Sequence, residues 1–159
     1  MVSASLDMLE ESLVKKLEVM NGIREENARQ KEMLSDPENL EIEVFDKTLD
    51  VKGEYIDQLL ALDEGFQTLF DKVKNEVGDN KDLYADQIKR MQVLIHQITD
   101  ASASIEVEER RNKKMAEDYF SVTRNRMTQS KQTSAAAFNY YQTMNNFKNI
   151  PPQFMDTKN

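Results

Sequence analysis

The sequence predicts an all-α protein: an elongated antiparallel three-helix bundle or coiled coil, with a C-terminal extension able to form a short fourth helix. Three observations carry this expectation. Hydrophobic residues make up 39% and charged residues 31% of 159 positions, with only four Gly and three Pro, the mixture of long amphipathic helices rather than of sheets with many turns. Apolar residues recur at three- and four-residue steps over long stretches. The two strongest breakers, SDPEN and GDN, divide those stretches into three.

The first helix is predicted over about 3–34, with Leu6, Leu9, Leu13, Leu17, Met20, Ile23 and Leu34 along one stripe and no aromatic residue. At its end Asp36 could cap the next helix with Pro37 in the first position, or Asn39 could be the cap. The second helix is predicted over about 41–77, where Phe45, Leu49, Ile56, Leu59, Leu62, Phe66, Leu69, Phe70, Val73 and Val77 share a face. Gly78 closes it, because glycine readily takes the left-handed conformation that ends helices. The third helix is predicted over about 81–118, continuing to about 133. Tyr84, Ile88, Met91, Ile95, Ile98, Ser102, Ile105, Asn112, Ala116 and Tyr119 follow alternate fours and threes. Its seam turns polar after Ile105, and Glu109 and Asn112 would be costly to bury without partners, so that half is expected to be loosely covered.

Two short turns make the three helices antiparallel neighbours. Reflecting residue numbers about Pro37 places Gly22 level with Gly53, either a close helix approach or an accident of sequence, since each glycine inside a helix costs ~1 kcal/mol relative to Ala. Reflection about Asp79 and Asn80 places the start of helix two opposite about Asp118. A bundle over 1–118 is therefore expected, and a helix continuing to Thr133 would overhang by roughly 20 Å at ~1.5 Å per residue.

Composition changes where that overhang begins. Seven of the twelve aromatic residues fall in the last quarter of the chain. Residues 1–78 carry nine Lys/Arg against nineteen Asp/Glu, a balance of −10, whereas 79–159 carry twelve against ten, or +2. Residues 119–159 divide into a polar stretch, RNRMTQSKQT, then SAAAFNYYQTMNNF, able to form a short amphipathic helix with Tyr140, Met144 and Phe147 on one side. NIPPQFMD follows, which Pro151 and Pro152 keep extended. Either these aromatics complete a fourth side of the bundle, or they present Met and aromatic anchors to another chain.

Chemistry is sparse. There is no Cys, which removes disulfides, thiolate metal sites and cysteine nucleophiles. The single His, His96, has Asp100 four residues on, a pair more often found on a solvated flank than at a metal. DKTLDVKGEYID has the look of a calcium loop through Asp46, Thr48, Asp50 and Asp57, but Val51 stands where the loop needs Gly. Glu106, Glu108, Glu109, Arg110 and Arg111 fit a solvated, ion-paired face. No phosphate-cradling glycine loop is present. The expectation is a protein that is not an enzyme, with no cofactor or metal. The scattered basic residues of the tail and the acidic body argue against nucleic acid. The start of the chain lacks the apolar core of a signal peptide, and no run of ~18–20 apolar residues would span a bilayer. A cytoplasmic location without membrane insertion is expected.

The opening LDMLEESLVKKLEVMNGI, the second-helix start FDKTLDVKGEYIDQLLALDEGF and the ending AFNYYQTMNNFKNIPPQFMD together resemble the flagellar export chaperones of the FlgN and FliT type, over nearly the whole chain. The shared feature is a pattern of helices more than particular residues. The resemblance implies an acidic cytoplasmic chaperone that binds the terminal segment of a late type III export substrate, a hook-associated or filament-cap protein, keeps it unassembled and delivers it to the export apparatus. It implies that the C-terminal helical region contacts the substrate, and that in FliT-type members a terminal helix masks that region. By position, this points to Tyr119, Phe120, Phe138, Tyr140, Tyr141, Met144 and Phe147. IPPQFMD falls outside the family pattern. The alternative is a coiled-coil scaffold or adaptor that self-associates through the same aromatic segment.

Overall fold

The computed structural model describes residues 4–123 together with 140 and 143. Over the continuous described stretch four α-helices are formed: α1 (Ala4–Leu34), α2 (Ile42–Glu64), α3 (Phe66–Val77) and α4 (Ala85–Thr123). Among the described residues there is no strand, and the protein is an all-α helical bundle.

Helix α1 has Asp7 in its first turn and Lys31 in its last, the charge order that complements the helix dipole. It ends where the Ser35 N–H and hydroxyl both bond the Lys31 carbonyl, at 3.0 and 2.7 Å. Pro37–Asn39 then forms one 3-10 turn. The two candidate caps bond each other, Asn39 Nδ2 donating to Asp36 Oδ2 at 2.9 Å. Helix α2 instead begins after Glu41, which makes no side-chain cap bond.

What reads in the sequence as one second helix is two. Gly65 interrupts it for a single residue at φ −85°, ψ −5°, and the Leu69 N–H still reaches the Gly65 carbonyl at 3.2 Å. Beyond the break, Phe66 is buried and stacks on Phe70 at 6.3 Å. Gly78 closes α3 at φ +51°, a conformation an L side chain rarely adopts. A 3-10 turn over Lys81–Tyr84 buries Tyr84 and feeds α4, which at 39 residues is about 58 Å long at ~1.5 Å per residue.

Helix α1 is the centre of the bundle. It packs closely on α2 and α3 along one flank and on α4 along the other, while α2 and α4 approach each other mainly through side chains. Running direction follows from the contacts. Gln87 Nε2 donates to Asp7 (2.7 Å) and Glu10 (3.0 Å), and further along Asn112 Nδ2 donates to the Asn27 carbonyl at 2.9 Å. Helices α1 and α4 are thus parallel, offset by 80 to 85 residues, with α2 and α3 antiparallel to both. At the near end, Arg90 forks onto Glu10 at 3.0 and 3.2 Å; these hydrogen bonds hold the Glu10 carboxyl below its ordinary pKa despite opposing burial.

Reflection about Pro37 misjudges the first register, because the turn centre lies further along. Lys16 pairs with Asp63 at 2.8 Å and Gln30 with Thr48 at 2.9 Å. Gly22 accordingly faces Tyr55, not Gly53. A Cβ on Gly22 would stand 2.6 Å from Tyr55 Cζ, whereas one on Gly53 would meet nothing within 4 Å. One glycine seats an aromatic ring; the other makes no close approach.

A polar layer beneath Tyr140 is the candidate functional site

The apolar core runs from Leu6, Leu9 and Leu13 through Met20, Ile23, Ile56, Leu59, Ile98 and Ile105, and then changes character. On α1 the next inward positions are Glu26, Asn27 and Gln30; on α2 they are Thr48 and Lys52; on α4 they are Glu109 and Asn112. All seven are buried, Lys52 and Asn112 at 0% exposure. Placing so many polar groups in one layer requires nearly complete pairing, because an unpaired buried donor or acceptor costs ~1–3 kcal/mol.

The pairing crosses all three flanks. Lys52 Nζ donates to Glu109 Oε1 at 2.8 Å and to Gln30 Oε1 at 2.9 Å. Gln30 Nε2 donates to Thr48 Oγ1 at 2.9 Å, and Thr48 donates to the Phe45 carbonyl at 2.6 Å. Asn112 Nδ2, already on the Asn27 carbonyl, also lies 3.3 Å from Gln30 Oε1. Towards solvent, Asn27 Nδ2 and Arg24 Nε donate to the two oxygens of Glu108, at 3.1 and 3.0 Å. Glu26 pairs with Arg29.

Tyr140 closes this layer. It is 5% exposed, its hydroxyl donates to Glu109 Oε1 at 2.6 Å, and its ring lies over Lys52 Nζ at 4.1 Å from the centroid. The same carboxylate oxygen thus accepts from a lysine and a phenol, while Glu109 Oε2 and Asn27 Oδ1 have no hydrogen-bond partner among the described residues. Burial drives the Lys52 pKa down to about 8, against the opposing pull of Glu109 and, more weakly, Glu108 and Glu26.

The α4 seam after Ile105 is therefore not loosely covered. Glu109 and Asn112 are buried because α1, α2 and Tyr140 supply their partners. Earlier on α4, Ala101 takes the inward position expected for Ser102, which is exposed.

The seven site residues expected from the sequence fall into three groups. Tyr119 and Phe120 are half-buried on the last turns of α4, edge to face at 5.4 Å, and Phe120 meets Phe45 of α2 edge-on at 6.3 Å. Tyr140 belongs to the core. Phe138, Tyr141, Met144 and Phe147 lie outside the described residues, as do the polar stretch over 124–133 and NIPPQFMD. At this end of the bundle Val44 and Val122 are also exposed. His96 and Asp100 are exposed on α4. The stretch DKTLDVKGEYID is helical within α2, with Thr48 turned into the core. Among the described residues, no three or more His, Cys, Asp or Glu are grouped to hold a metal ion, and no helix is long and apolar enough to cross a membrane.

Sequence reasoning singled out Glu109, Asn112 and Tyr140 but missed their partners. A signal was there. The apolar stripe of α1 breaks between Ile23 and Leu34, and that of α2 carries Lys52 between Leu49 and Ile56. These two interruptions lie level with the one on α4. No protein-family description, curated protein or solved structure matches the chain.

Proposed function

We propose that this protein is a cytoplasmic chaperone. It takes up the terminal segment of a late flagellar type III export substrate, a hook-associated or filament-cap protein, and keeps it unassembled for secretion. The observation that carries the proposal is the seating of Tyr140. A residue of the aromatic C-terminal segment occupies the side of the bundle where α2 and α4 approach each other mainly through side chains, held by a hydrogen bond and a cation–π contact to a polar cradle. A segment anchored on such a cradle can be displaced by a competitor of the same chemistry, since docking then shifts an equilibrium between two occupants. The half-buried pair Tyr119 and Phe120 supports an apolar contact surface at the adjoining end. The flagellar assignment rests on the resemblance of the three sequence stretches quoted above. The role requires no catalytic group, cofactor, nucleic acid or membrane insertion; contact with the export apparatus belongs to the same proposal.

Calorimetric titration of terminal segments of hook-associated and cap proteins tests this reading. One-to-one binding to the full chain, strongly weakened in a chain lacking residues 119–159, is the expected result. Equal binding by both chains removes the tail from the site; no binding by either removes the chaperone function. Light scattering separates the scaffold alternative, which requires a stable dimer that dissociates when the tail is removed.

A further inference from the structure

We infer that the cradle of Lys52, Glu109 and Gln30 is a tyrosine-recognition site, selecting a phenol over a phenyl ring and over an aryl phosphate. Tyr140 is its intramolecular occupant, and the partner that replaces it presents a tyrosine. The identity of that partner rests on the proposed function; the selectivity does not.

Three features of the geometry require a phenol. Glu109 Oε1 accepts the Tyr140 hydroxyl at 2.6 Å in a layer where its other oxygen already lacks a partner among the described residues. A phenyl ring fills the same volume and removes a donor from a carboxylate that is 4% exposed, where a charge-assisted hydrogen bond counts most. The ring itself covers the ammonium of Lys52 at 4.1 Å, so a hydroxyl on an aliphatic stem satisfies Glu109 and leaves the cation without its aromatic face. A phosphorylated tyrosine brings up to two further negative charges against Glu109, and Lys52 is already committed to Glu109 and Gln30.

The cradle is also held in place independently of its occupant. Gln30 comes from α1, Lys52 from α2 and Glu109 from α4. Gln30 is fixed in turn by Thr48 and Asn112. Supporting bonds of this kind hold a recognition group ready before a ligand arrives.

Acetylation of the Lys52 amine by an N-hydroxysuccinimide ester, followed by peptide mass spectrometry on the full-length protein, reads occupancy directly. In the wild type Lys52 is expected to label slowly. Tyr140→Phe is expected to label about 10- to 100-fold faster, the factor that loss of a hydrogen bond to a charged group implies. Tyr140→Ala is expected to label faster still, with protection restored by added p-cresol and not by toluene or p-cresyl phosphate. Lys16, buried in its own pair with Asp63, is expected to stay protected throughout, showing that the bundle is intact. Wild-type labelling of Lys52 in Tyr140→Phe, or equal protection by toluene and p-cresol, overturns the inference. If p-cresol protects Lys52 while no export-substrate segment binds the full chain, the pocket stands and the chaperone reading falls.

Discussion

Lys52 is the residue on which the polar layer turns, since it contacts Gln30, Glu109 and Tyr140 from one nitrogen. Replacing one member of a buried pair leaves the other charge uncompensated, at a cost of ~3–5 kcal/mol. Lys52→Met is therefore expected to lower the urea midpoint severely. A Lys52→Met/Glu109→Leu double variant should recover most of the loss, because both charges then leave the core together. Titration supplies a second prediction. The folded-state pKa is pushed down to about 8, below the ~10.4 of an unfolded lysine, so between these values the unfolded chain holds more protons. Stability from this residue is present above about pH 10.4 and lost as pH falls through about 8. Urea titrations of the wild type should show this rise from pH 8 upwards relative to Lys52→Met; parallel curves for the two would refute it.

The glycines make the corresponding argument for the helices. Inside a helix glycine costs ~1 kcal/mol relative to Ala, and whether that is recoverable depends on what a Cβ would meet. Gly53→Ala enters open space and should raise stability by about 0.5–1 kcal/mol. Gly22→Ala meets the Tyr55 ring at 2.6 Å and should gain less or lose, with the difference from Gly53→Ala disappearing in a Tyr55→Ser background. At Gly78, φ of +51° makes any side chain strained, and Gly78→Ala should cost about 1–3 kcal/mol. Thermal melts of these variants check all three signs. The sequence shows that Gly78 ends a helix, because that is a local requirement. Nothing local distinguishes Gly22 from Gly53; only the register between α1 and α2, set by the Pro37–Asn39 turn, does so.

For the whole molecule, the central place of α1 determines the order of unfolding. It is packed on both flanks, while α3 is a short helix between Gly65 and Gly78. Amides of α1 between Leu13 and Gln30 should exchange only through global unfolding, and those of α3 through a lower-energy local opening. Native-state hydrogen exchange measures this, and equal protection of the two segments would contradict the architecture.

By itself, the sequence determined the all-α class, the breaks at SDPEN and GDN, and the apolar stripes. Each of these depends on backbone propensity and side-chain periodicity within one segment. It also showed that the α4 seam turns polar and that aromatic residues gather beyond it. Only the tertiary structure decided that Glu26, Asn27, Gln30, Thr48, Lys52, Glu109 and Asn112 share one layer, and that Tyr140 closes it. The physical reason is that a buried charge is tolerable only beside its partner, and partners separated by 57 residues, as Lys52 and Glu109 are, become neighbours only when the turns set the register between helices.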